Sequence, residues 1–188
     1  MTPFEYVTVL ISIILGLGIT QIVSGLADII HKWSHVKLYW PHLMWIVFVF
    51  FLHIQEWWVL YEMRSIMIWM LPTFLFTILY PINLFILARI LFQSEHSHAS
   101  TDYKAFYFEN FRKFFLWAVI LIVLSIADNL LFNGYTWLDQ PVQFIMLAGM
   151  AFLIYKKPKQ EWVHKTVVVV LTLLLLSSLA LRDWVIGS

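Results

Sequence analysis

Cysteine is absent from the 188 residues. Its absence excludes disulfides, thiolate nucleophiles and cysteine-ligated metal centres. Charge is the second scarcity: 12% of residues are Asp, Glu, Lys or Arg, against about 25% in an average soluble domain. The 12 Lys and Arg nearly balance the 11 acids. No basic arm or face can neutralise a run of phosphates, so nucleic acid is not an expected partner. The chain also has no Gly-rich phosphate loop, no Gly-x-Ser-x-Gly elbow and no His-Glu-x-x-His helix. The usual sequence warrants for nucleotide binding, serine hydrolysis and zinc-peptidase chemistry are therefore missing.

What is present is apolar. The chain is 62% hydrophobic, with ten tryptophans and a mean hydropathy of +0.82. A helix needs about 20 apolar residues to cross the hydrocarbon of a bilayer. Six segments approach or reach that length, at about 4–29, 41–61, 65–91, 111–132, 138–155 and 163–184. The expected fold is all-α, a single polytopic integral membrane domain over 1–188 built as a bundle of six transmembrane helices. Pro72 and Pro81 fall in the third segment. A proline removes a backbone donor and crowds the preceding turn, so a kink is expected there. The first segment opens with Glu5 and no base, unlike a cleavable signal peptide, and reads as a retained helix.

The connections alternate in charge. Lys32, Lys37, Arg89, Lys104, Arg112, Lys113, Lys156, Lys157, Lys159 and Lys165 border one side, and only Arg64 and Arg182 the other. Basic loops stay in the cytoplasm. Both termini are thus expected on the non-cytoplasmic side of a bacterial-type cell inner membrane. The longest connection, 92–110, becomes a cytoplasmic loop, with a polar first half and an aromatic, charged second half expected to run along the interface. Tryptophans near the segment ends match the usual aromatic belt.

Polar residues inside the apolar segments stand out, because they are costly in hydrocarbon and often functional. In the first segment Ser12, Gly16, Thr20, Ser24 and Asp28 recur every four residues, continued by Glu5 and Thr8, and so share a helix face. Such a stripe serves close helix packing or one wall of a hydrated path. Gln21 lies near mid-membrane and needs a hydrogen-bond partner. In the second segment His53 and Glu56 are one turn apart. An imidazole and a carboxylate at that spacing suit proton transfer, metal ligation, hydrolytic chemistry, or simply a satisfied polar pair that orients two helices. Asp128 follows Ser125 by three in the fourth segment, and Arg182 is a possible counter-charge. Asn83 sits deeper than a loop residue should. The remaining histidines, including His42 and His164, fall at the cytoplasmic edge and read as polar surface.

The expected function is a small membrane channel or transporter for a small ion, above all protons. Its path would run through His53, Glu56, Asp128, Glu5, Ser12, Thr20 and Gln21. The alternatives are a non-catalytic membrane assembly subunit and a membrane-embedded metal-dependent enzyme; whether a metal or cofactor binds is open. Membrane lipids, a second copy in a homo-oligomer and another membrane protein are the expected partners.

Overall fold

The computed structural model describes residues 2–66, 68–93 and 101–180. They fold into six α-helices: α1 (Pro3–His31), α2 (Trp40–Leu60), α3 (Leu71–Ile90), α4 (Tyr103–Leu131), α5 (Pro141–Lys156) and α6 (Glu161–Ala180). Four of these are long and apolar enough to cross a membrane: α1, α2 with the 3-10 turn Tyr61–Ser65 that extends it, α3, and α4. The apolar α5 has 16 residues, a length of about 24 Å.

Local chemistry sets the boundaries. Thr2 caps α1 by accepting from the Glu5 backbone N–H at 3.1 Å, and the Glu5 carboxylate accepts from the Thr2 N–H at 2.8 Å. This reciprocal pair satisfies two of the N–H groups that a helix start leaves without intrahelical partners. Pro41, Pro72 and Pro141 stand in the first turns of α2, α3 and α5, where the missing donor costs nothing. The expected start of the third segment at 65 shifts to Leu71, and Pro72 initiates the helix. Pro81 alone lies inside it, and it leaves the Thr77 carbonyl without its usual donor.

The fourth helix begins eight residues before the expected 111. Asp102 accepts from the N–H groups of Lys104 and Ala105 and so caps α4 at Tyr103. Tyr103, Tyr107, Phe111 and Phe114 are buried, at the spacing of one helix face. The aromatic half of the long loop is therefore the packed first turns of α4. The strand pairs Val36–Lys37 and Thr101–Asp102 join in parallel and tie the α1–α2 and α3–α4 connections together.

The helices pack around α2. α1 lies against α3 and α2, α4 lies between α3 and α5, and α6 lies against α2 and α5. The buried residues of α1 are Val7, Ile11, Leu15, Gly18, Ile22, Gly25 and Ile29, mostly an alternation of four and three as in a left-handed coiled coil. Its glycines admit neighbouring side chains: a Cβ on Gly18 would meet the His53 ring at 2.1 Å, and one on Gly25 would meet Phe92 at 2.3 Å.

Candidate functional site

A cavity of about 590 Å³ runs between α2, α3, α4, α5 and α6. One end of it is polar. Gln55 and Glu56 come from α2, Glu62 from its 3-10 extension, and Thr77 and Tyr80 from α3. Ser125, Asp128 and Asn129 come from α4, Asn133 and Asp139 from the turn that follows, Gln140 from just before α5, and Gln143 from its first turn. Antiparallel connectivity explains the convergence, since the ends of α2 and α4 and the starts of α3 and α5 face the same side. The other end is lined by Trp45, Phe48, Leu87, Phe114 and Met150 and carries no charge.

Amide side chains hold the polar end together. Asn133 donates to the Asp128 carboxylate at 3.0 Å, Asn129 donates to the Gln140 side-chain oxygen at 3.1 Å, and Gln143 donates to the Ser125 hydroxyl at 3.2 Å. Asp139 accepts from both the backbone N–H and the hydroxyl of Thr136 at 2.7 Å. These bonds hold its carboxyl below the usual range, the hydroxyl bond contributing most. Glu56 accepts no hydrogen bond among the described residues, and it lines the same cavity as Asp128. No Lys or Arg lies among the described lining residues.

The structure brings together Glu56 and Asp128, with Ser125, and places the other expected path residues elsewhere. His53 does not line the cavity. It is 0% exposed, and its ring lies against Gly18 of α1. The Val49 carbonyl can only accept, so the His53 Nδ1–H donates to it at 2.7 Å, and Nε2 has no partner among the described residues. Glu5 is exposed and engaged in the α1 cap. Gln21 accepts from the Arg89 guanidinium at 3.1 Å, which supplies the partner the sequence demanded. Thr20 donates to the Gly16 carbonyl at 2.8 Å. Of the stripe, Ser12 is half-buried, and Gly16, Thr20, Ser24 and Asp28 are exposed on the face of α1 away from its buried seam. Arg182 lies outside the described residues.

Sequence reasoning missed Gln55, Asn133, Asp139, Gln140 and Gln143. Most belong to the α4–α5 turn and look like ordinary turn residues. The available signal was Gln140-Pro-Val-Gln143, two amides one turn apart opening an apolar helix. It also missed two buried histidines. His42, 3% exposed, donates from Nε2 to the Leu91 carbonyl at 2.9 Å and packs on Tyr103. His164 donates from Nε2 to the Pro158 carbonyl at 2.8 Å, which leaves Nδ1 to accept from the Tyr107 hydroxyl at 3.0 Å. Among the described residues, no three His, Asp or Glu side chains are grouped to hold a metal ion.

No family model, no curated protein and no solved structure matches this chain, so its function is read from its own geometry.

Proposed function

We propose that the chain is a small multi-pass membrane channel or transporter for a small cation, above all protons, with Glu56 and Asp128 as the groups that bind it. One observation carries this reading: two carboxylates on different apolar helices share one cavity with no Lys or Arg among the described lining residues. Two carboxylates in one cavity walled by apolar helices are costly unless a proton or another cation neutralises them. The amides around Asp128 supply polar lining toward the mouth. In this reading His53 supports the α1–α2 seam, and the outer stripe of α1 is not a wall of the path. α5 and α6 complete a six-span bundle, with Pro81 bending α3. The ten bases support a topology with the α1–α2, α3–α4 and α5–α6 connections in the cytoplasm of a bacterial-type cell and both termini on the other side.

The test is reconstitution in liposomes with an internal pH dye under an imposed proton gradient and voltage. Flux above that of empty liposomes is expected, with Glu56→Gln and Asp128→Asn each reducing it in protein that elutes as one folded species. Flux equal to empty liposomes would defeat constitutive proton conduction. A second reading, a non-catalytic assembly subunit, is favoured by the exposed small residues of α1, a surface on which another copy or another membrane protein could pack. It predicts no flux and cross-linking through cysteines placed at Gly16 and Thr20.

A further inference from the structure

We infer that the cavity is a binding site for an amphiphilic organic amine, with its protonated nitrogen between Glu56 and Asp128 and its apolar body along the floor. The inference rests on the cation reading above and narrows it to a class of ligand.

Size is the first argument. A proton or a bare metal ion needs no room of about 590 Å³, whereas small-molecule sites typically occupy about 300–1,000 Å³. The change in lining is the second. Beyond the carboxylates, Trp45, Phe48, Phe114 and Met150 offer no polar ring to a hydrated ion, but they suit an aliphatic or aromatic body. Trp45, Phe48 and Phe114 already pack ring to ring, with centroids 5.3 and 5.5 Å from that of Trp45. Trp45 and Glu56 lie eleven positions apart on α2, a rise of about 16 Å, so the body can be several carbons long.

Hydrogen-bond polarity is the third argument. Four carboxylates line the polar end, those of Glu56, Glu62, Asp128 and Asp139. The Gln55 side-chain oxygen on the same wall is buried with no donor among the described residues. The open acceptors of Glu56 and Gln55 call for a ligand that donates, which an aminium does with up to three N–H groups. The Tyr80 and Phe76 rings at the same end add faces that attract a cation. A carboxylate or phosphate ligand would instead meet like charge.

The test uses the full chain in phosphatidylcholine nanodiscs. Three probes share one apolar body: phenylbutylamine, phenylbutanol and phenylbutyrate. Binding is read by equilibrium dialysis with empty nanodiscs subtracted. The amine is expected to bind roughly 10-fold tighter than the alcohol or the acid, and Glu56→Gln and Asp128→Asn each to remove that preference. Met150→Trp, which fills the floor away from the carboxylates, is expected to weaken phenylbutylamine and spare methylammonium. Equal binding of the three probes by wild-type protein overturns the inference without recourse to any variant. So does an amine preference that survives both carboxylate substitutions. Glu56-dependent binding of methylammonium that equals or exceeds that of phenylbutylamine overturns it too, while the small-cation reading stands; loss of Glu56 dependence for both probes fails that reading as well. Added phosphatidylethanolamine separates two sources of the same chemistry. Unchanged binding, the result expected because its phosphate would face the carboxylates, supports a free amine, and competition supports a lipid amine.

Discussion

Gly18→Ala tests the central seam of the bundle. The new Cβ would stand 2.1 Å from the His53 Nε2, 2.7 Å from Cδ2 and 3.3 Å from Cε1. A side-chain tip normally swings away from such a clash, but this ring is 0% exposed and its Nδ1–H is bonded to Val49 O at 2.7 Å. Either the imidazole breaks that bond or α1 and α2 separate. Forcing a methyl into a filled site costs about 1–3 kcal/mol, and a lost buried hydrogen bond about 1 kcal/mol more. A destabilisation of roughly 2–4 kcal/mol is expected. Gly16→Ala is the matched control. Its Cβ meets nothing within 4 Å, so the change in helix propensity alone applies, a gain of about 0.5–1 kcal/mol. The assay is the SDS-induced unfolding midpoint of purified protein in mixed micelles. His53→Ala is added to close a double-mutant cycle, because the methyl introduced by Gly18→Ala then enters the space left by the ring. The pair is expected to be less destabilised than the sum of its single changes by about 1–3 kcal/mol. Equal midpoints for Gly18→Ala and Gly16→Ala, or strict additivity with His53→Ala, would refute the reasoning. The double variant serves a second purpose. Proton flux that persists in it would remove His53 from the path.

The end of the bundle where α4 and α6 begin gives two further predictions. Tyr107→Phe removes the donor to His164 Nδ1 and is expected to cost about 1 kcal/mol; His164→Ala should cost more, since it also empties a site among Tyr107, Phe108 and Phe111, and the same unfolding midpoints rank the two. Glu161 bridges Lys104 of α4 and, at 3.0 Å, Lys165 of α6, and these lysines, Lys104 first, hold its carboxyl below the usual glutamate range. A depressed folded value means the contribution is present above the unfolded value and lost as pH falls through the folded one. Proteolysis in the 157–160 connection, measured with an acid-active protease, is therefore expected to rise on acidification below the glutamate range in wild type, and Glu161→Gln is expected to flatten that dependence.

Long apolar runs made the helices legible, because hydrocarbon demands that backbone groups pair within the segment. Boundaries were less so. Residues 65–70 are apolar enough to join a helix, yet Pro72 sets the start at Leu71, and hydropathy carries no such directional information. Tyr103–Phe111 looked interfacial because Lys104 and Glu109 interrupt its aromatics; the periodicity of Tyr103, Tyr107 and Phe111 was the better guide. At the site, Glu56 and Asp128 were visible as charges in apolar context. The separation of His53 from Glu56 was not. Residues three apart differ by about 60° around a helix, enough for one to face α1 and the other a cavity bounded by α3 and α4. Which way each turns depends on Gly18, a glycine whose role appears only once α1 and α2 are packed.

The intramembrane polar residues therefore divide by their partners. Gln21 has Arg89, Asn83 donates to the Trp117 carbonyl at 3.1 Å, Thr77 donates to the Thr73 carbonyl at 3.0 Å, and His53 donates to Val49. Each of these bonds joins or stiffens helices, and each is explained by the cost of leaving a polar group bare in hydrocarbon. Glu56 is different: it has neither a hydrogen bond nor a basic neighbour among the cavity's described lining, and it shares its space with a second carboxylate. Polarity within the membrane suggests function most strongly after such partners have been subtracted. What then remains in α2 toward the cavity is the Glu56 carboxylate with the Gln55 amide oxygen beside it, next to a space large enough for a ligand of the opposite charge.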